Sequence, residues 1–322
     1  MKWKKIGKIF GPQNISDGND RNWMREFAQC PSTIIFENFV RIYFSCRPIK
    51  DKEKNYKSYT AFVDVDRKDL TKILNISKNP VLPLGELGTF DEFAIYPTSV
   101  IENNNKILLY YAGWSRSKSV PFNTSIGLAV SNDDGITFKR KGIGPILSYS
   151  IDEPFVISGP KIRKFNGLWY LYYIAGNKWI QNNGRPEIVY KIRMATSLDG
   201  ISWNKLNKNI ITDVLENIEC QAGPDVFYYK NKYYMYFAYR CALNFRNNKK
   251  RGYRIGCAYS IDLFNWVRCD DEAGITYSKY GWDSNMLHYP HIFKLDGKYY
   301  MLYNGNDFGK YGFGLAILED DK

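Results

Sequence analysis

Tyr96-Pro97-Thr98-Ser99-Val100-Ile101-Glu102-Asn103-Asn104-Asn105-Lys106-Ile107-Leu108-Leu109-Tyr110-Tyr111-Ala112 contains two apolar, β-branched and aromatic runs separated by an asparagine-rich turn. Alternation within the runs and Asn residues between them specify a β-hairpin. The same plan recurs around Pro31, Pro160, Pro224 and Pro290, so that five prolines follow one another at intervals of 66, 63, 64 and 66 residues. A fixed repeat of this length marks one supersecondary unit stacked or arranged radially. Five units nearly fill 322 residues.

Each unit continues beyond the hairpin. A third run follows in Ser125-Ile-Gly-Leu-Ala-Val-Ser131, Lys191-Ile-Arg-Met-Ala-Thr-Ser197, Arg254-Ile-Gly-Cys-Ala-Tyr-Ser260 and Gly312-Phe-Gly-Leu-Ala-Ile-Leu318. After three of these comes a polar turn built on Asp133, Asp199 or Asp262, leading to Phe138, Trp203 or Trp266. Aspartate suits such a turn because its carboxylate bonds nearby backbone amides. The aromatics are expected in the core. The unit is therefore a four-stranded antiparallel blade, and the chain an all-β, five-bladed β-propeller forming a single domain over 1–322. The blades are expected at 26–85, 90–150, 153–215, 219–272 and 283–319. The last unit stops after its third strand, so residues 3–10, Trp3-Lys-Lys-Ile-Gly-Lys-Ile-Phe10, are expected to close it and cover its edge.

Composition narrows the function. Hydrophobic residues are 44% and aromatics 16% of the chain, which supports a large core. The N-terminus is basic without the apolar stretch of a signal peptide, and no segment has membrane-spanning length, so a cytoplasmic protein without membrane insertion is expected. Six cysteines in no CxxC or framework spacing read as buried thiols, and two histidines argue against a His-rich metal site. No cofactor is expected. The charge of +12 favours anionic partners, while no nucleic-acid-binding motif accompanies it. The oligomeric state is not readable.

A carboxylate stands five to seven residues before every proline: Glu26, Glu92 beside Asp91, Glu153, Glu219 and Asp283. In a propeller the first strand of each blade lines the channel, so these acids are expected in one mouth. Crowded carboxylates there would split their pKa values as acid/base pairs require. Arg47 and Arg240, ending the second strands of blades one and four, are the expected counter-charges. Tyr96, Trp114, Trp179, Trp282 and Tyr289 are expected to offer faces on which sugar rings stack. His288, Asn285 and Asn306 are further candidates for contact with substrate, and His291 is expected to be structural.

Gly88-Thr-Phe-Asp91-Glu92, Ser197-Leu-Asp-Gly-Ile-Ser-Trp203, Glu219-Cys220 before Pro224, Tyr239-Arg240, Gly281-Trp-Asp283-Ser284 and Tyr303-Asn-Gly-Asn306 together resemble the five-bladed propeller glycosidases, the superfamily of glycoside hydrolase families 32, 43, 68 and 130. The resemblance spans the chain and is nearest to propeller proteins encoded among surface-polysaccharide genes. It implies inward carboxylates cleaving a glycosidic bond: Glu219, then Glu153, as proton donor, and Asp91, Glu92 or Asp283 as base and orienter. It also implies a blade-one carboxylate, where Glu26 stands, with Asp17 and Asp20 earlier. Three functions follow: a glycoside hydrolase; a phosphorylase or glycosyltransferase acting on an anionic or phosphorylated carbohydrate, which the basic charge suits; or a propeller that only binds a glycan or protein. A sialidase is a weaker match, because its Asp-box turn fits Ser131–Phe138 alone.

Overall fold

The computed structural model describes residues 1–15, 21–53, 55–216 and 218–319. Asp17 and Asp20 lie outside these. Strand β1 (Lys2–Phe10) precedes five repeating units. Blade one is β2 (Glu26–Ile35), β3 (Phe39–Arg47), β4 (Tyr59–Asp66) and β5 (Ile73–Ile76). Blade two is β6 (Ala94–Asn103), β7 (Lys106–Ser115), β8 (Asn123–Ser131) and β9 (Lys139–Arg140); blade three is β10 (Ile157–Phe165), β11 (Leu168–Asn182), β12 (Arg185–Ser197) and β13 (Asn204–Lys205). Blade four is β14 (Glu219–Tyr229), β15 (Lys232–Cys241), β16 (Arg254–Ser260) and β17 (Val267–Arg268). Blade five is β18 (His288–Leu295), β19 (Lys298–Asn304) and β20 (Phe313–Glu319), completed by β1.

All five sheets are four-stranded and antiparallel, as the repeat predicts. Lys2 pairs with Glu319 and Phe10 with Phe313, so the two ends of the chain close the ring in one blade. The core lies between blades: Tyr43 of blade one packs on Phe138 of blade two, and Tyr110 of blade two on Trp203 of blade three. Phe138 is buried, whereas Trp203 and Trp266 are only half-buried against the core, because each lies at an outer edge. Asp199 behaves as the turn former expected, its Oδ1 accepting the backbone N–H groups of Ile201 and Ser202 at 2.7 and 2.8 Å. Five of the six cysteines are buried free thiols and Cys269 is half-buried. Among the described residues no helix is long and apolar enough to cross a membrane.

Consecutive inner strands are tied by side chains that accept the next blade's amides. Ser32 Oγ takes the Val100 N–H at 3.0 Å and Ser99 Oγ the Ile162 N–H at 2.9 Å. Asp225 Oδ2 takes the Ile292 N–H at 2.7 Å, and His291 Nε2 the Thr33 N–H at 3.1 Å. These bonds satisfy buried backbone donors that face no strand of their own sheet. They hold the five inner strands in fixed register around the axis.

Candidate functional site

The repeating proline interrupts each inner strand. Pairing with the second strand skips between Gln29 and Ser32, Tyr96 and Ser99, Ser158 and Lys161, Ala222 and Asp225, and His288 and His291. Proline cannot donate to the ladder, and a bulge is where a strand accommodates it. The residue before it is left-handed in four blades: Cys30 (φ 57°), Gly159 (φ 60°), Gly223 (φ 57°) and Tyr289 (φ 51°). A Cβ on Gly223 would also meet Tyr289 Cα at 3.2 Å. Holding Cys30 and Tyr289 in this region costs of order 1–3 kcal/mol each, strain typical of ligand sites. The bulges turn toward the axis and floor a cavity of about 610 Å³.

Among the described residues seven cationic side chains line that cavity, Arg47, Lys50, Arg116, Lys161, Arg185, Arg240 and Arg246, against a single carboxylate, Glu187. Glu187 is itself engaged by Arg246 at 3.1 Å and Arg185 at 3.4 Å. Lys161, on the floor directly after Pro160, lies 3.0 Å from His291 Nδ1 and 3.8 Å from Asp225. Burial pushes the Lys161 amine down to about 8, although Asp225 pulls it the other way. Burial alone would raise the Asp225 carboxyl, but Arg163 and Lys161 hold it well below the usual carboxylate range. Burial and then Lys161 push His291 down to about 3, so its ring is neutral. Since Nε2 accepts the Thr33 N–H, Nδ1 carries the proton and donates to Asp225 Oδ2 at 3.1 Å.

Aromatic rings form one wall. Tyr96 stacks on Trp114 (5.0 Å), Trp114 meets Phe122 at a tilt (4.2 Å), and Phe122 meets Trp179 edge-on (5.5 Å). Trp179 reaches the wall because β11 and β12 run past the sheet as a long hairpin. Opposite, the Tyr190 and Tyr253 hydroxyls are hydrogen-bonded to each other, and Arg240 donates to Tyr190 at 3.1 Å.

Of the residues expected at the site, Arg47, Tyr96, Trp114, Trp179, Arg240 and Tyr289 line the cavity. The acids before the prolines do not. Asp91, Glu153, Glu219 and Asp283 are buried and bind a cation from the blade's outer strand: Arg140 (2.8 Å), Lys205 (2.6 Å), Arg268 (2.7 Å) and Lys5 (2.6 Å). Three also accept the hydroxyl of a tyrosine twenty positions later, Tyr111, Tyr173 and Tyr303. In blade four the corresponding Tyr239 instead lies under Arg268, 4.3 Å from its ring. The loops turn these carboxylates into the blade, where they staple inner to outer strand. The counter-charges for them are therefore outer-strand cations rather than Arg47 and Arg240.

The remaining candidates also lie off the cavity lining. Glu26 accepts from Tyr56 (2.7 Å) and pairs with Lys310 (3.3 Å), and Glu92 accepts the Gly88 N–H at 2.8 Å. Trp282 stacks on Tyr303, and Asn306 Oδ1 holds the Asn285 and Met286 amides. His288 is fully buried, stacked on Tyr253, and burial pushes it down to about 3.

The sequence reading missed Lys161, Glu187, Tyr190, Arg246 and Tyr253 at the cavity. For Lys161 a signal existed: it follows its proline directly, as Ser32, Thr98, Asp225 and His291 follow theirs. Among the described residues no group of three or more His, Cys, Asp or Glu could hold a metal ion.

No family model matches the chain. It is 33% identical over 321 residues to "Uncharacterized protein Rv1502" of Mycobacterium tuberculosis, covering 99% of this chain and 100% of that one. It is 25% identical over 256 residues to the "1,2-beta-oligomannan phosphorylase" of Thermoanaerobacter sp., covering 78% and 77% of the two chains. A solved structure described as a glycoside hydrolase superposes with a TM-score of 0.73 at 16% identity, over 99% of this chain and 93% of the other. That likeness establishes the shared propeller.

Proposed function

From the premise that this chain belongs to the family of the Mycobacterium tuberculosis protein Rv1502, on a propeller shared with glycoside hydrolases and phosphorylases, we propose that its cavity carries out phosphate-dependent glycosyl transfer on a carbohydrate. The observation that supports this over hydrolysis is the charge of the lining, seven cations against one ion-paired carboxylate among the described residues. Hydrolysis requires two carboxyl groups flanking the scissile bond, about 5–10 Å apart. Phosphorolysis replaces one of them by phosphate, which the arginines suit. The mannoside specificity in the name of the Thermoanaerobacter relative makes mannosides the first substrates to try.

In this reading a phosphate oxygen bonds to the anomeric carbon as the bond from that carbon to the leaving oxygen breaks. Glu187 hands its proton to the leaving oxygen, and the proton that phosphate loses returns to Glu187. Arg185 and Arg246 hold the Glu187 carboxyl at the cavity wall, 3.4 and 3.1 Å from its Oε1. The test is incubation with β-1,2-linked manno-oligosaccharides with and without phosphate, following sugar 1-phosphate and free sugar. Phosphate-dependent sugar 1-phosphate is expected, with Glu187→Gln lowering kcat by about 10²–10⁴. Free sugar released at the same rate without phosphate would sink the proposal.

The ion pairing of Glu187 favours, as a second reading, a propeller that binds an anionic glycan without turnover. Phosphate and sugar binding with no product in either direction selects it.

A further inference from the structure

Arg47 and Arg240 occupy matching places in two blades. Each lies at the end of a second strand, Arg47 closing β3 and Arg240 next to last in β15, and each lines the cavity. Each guanidinium lies over a phenylalanine ring, Arg47 at 4.2 Å from Phe27 and Arg240 at 3.5 Å from Phe245. Each donates through Nη2 to a tyrosine hydroxyl, Tyr96 for Arg47 and Tyr190 for Arg240.

Among the described residues neither has a carboxylate within 4.0 Å. By contrast Arg41, Arg140, Arg163, Arg193 and Arg268 each face one. Arg240 is only 2% exposed; its Nη1 donates to Cys241 O at 2.9 Å and Ala242 O at 3.3 Å, while its Nε has no hydrogen-bond partner among the described residues. A buried cation with neither counter-charge nor full hydrogen bonding is costly, so the fold keeps it where a bound anion completes it. Arg47 spends Nε on Ser58 and Nη2 on Gln29 and Tyr96, and among the described residues its Nη1 makes no hydrogen bond.

We infer that the cavity seats two anionic groups of the phosphate class, one at Arg47 and the other at Arg240, with a sugar that bears at least one of them lying over Lys161. This deepens the phosphate-dependent reading above and rests on it. In a five-bladed ring, blades one and four are not neighbours, so their arginines approach from separate sides of the axis. From Tyr96, whose hydroxyl Arg47 bonds, the aromatic wall runs through Trp114 to Phe122 along the cavity lining. A single inorganic phosphate satisfies one anchor and leaves the other bare. Either a sugar with two phosphates, or a sugar phosphate together with inorganic phosphate, fills both.

Calorimetric titration at fixed ionic strength with inorganic phosphate, glucose 6-phosphate and glucose 1,6-bisphosphate tests the assignment. The bisphosphate is expected to bind at least about tenfold more tightly than either monophosphate, because the second anchor is engaged intramolecularly. Glucose 6-phosphate with saturating phosphate is expected to bind as one ternary complex. Arg47→Met is expected to erase the bisphosphate advantage while changing phosphate affinity less than threefold, and Arg240→Met to do the same. Because Arg240 is buried and its variant could fail to fold, the Arg47 variant alone decides. Equal affinity of the bisphosphate and glucose 6-phosphate in the unmodified protein overturns the two-anchor assignment, as does an equal loss for all three ligands in Arg47→Met. With phosphate-dependent turnover intact, those outcomes leave the broader reading standing. Absence of all phosphate binding overturns both.

Discussion

Asp91, Glu153, Glu219 and Asp283 show how a repeat can be legible while its chemistry is not. Their constant place before a proline is plain in the sequence, and so is the loop that carries them. The direction of the side chain is not, since an acid at a loop–strand junction can face the channel or the sheet. Two further repeats decide it: a tyrosine twenty residues on, and a cation in the outer strand of the same blade. Together they hold a buried charge that would otherwise be left uncompensated. Glu153 is the clearest case, held by Lys205 at 2.6 Å, Tyr173 at 2.7 Å and Arg193 at 3.2 Å. Glu153→Gln strands those cations, and a loss of roughly 3–5 kcal/mol is expected from urea unfolding. A catalytic role predicts unchanged stability and lost turnover instead.

Among the elements, β1 carries the most weight for its length, because a propeller is a closed ring only if its last sheet is completed. Trp3 spans the seam: its backbone N–H donates to Gly274 O at 3.0 Å and its indole to the Tyr236 hydroxyl at 2.9 Å, both in the blade-four unit. Lys5 reaches the buried Asp283 of the loop entering blade five. Trp3→Ala removes a buried ring and a bond to a buried hydroxyl, so a loss of about 3–5 kcal/mol is expected in thermal or urea unfolding. A change below about 1 kcal/mol would show that closure does not depend on this residue. The pairing of β1 with β20 was readable from the missing fourth strand. The β11–β12 hairpin was legible only in part: Trp179 is expected at the site and reaches it, whereas its strands continue past the sheet by the same apolar and polar alternation and nothing local reports that Glu187 joins the cavity lining.

For the whole molecule, the inner ring of buried ionisable groups sets the response to pH. His288 and His291 are both neutral in the fold, pushed down to about 3, while an unfolded chain protonates them near 6.5. The unfolded state therefore binds more protons between those values, and stability is present above pH 6.5 and lost as pH falls toward 3. Asp225, held below its ordinary range, adds a loss of the same sign at the acidic end. Urea midpoints between pH 7 and 4 should fall steadily, less so in His288→Gln; a flat profile would contradict neutral burial of the ring. By itself the sequence determined the number of blades, their strands and turns, the closure by β1 and the enrichment in cations, because these follow from periodicity and local backbone preference. Only the tertiary structure decided which charges meet. Pairing depends on side-chain direction and on contacts between residues tens to hundreds of positions apart, and it turned the repeating acids into the blade while leaving Arg47 and Arg240 on the lining of a basic cavity.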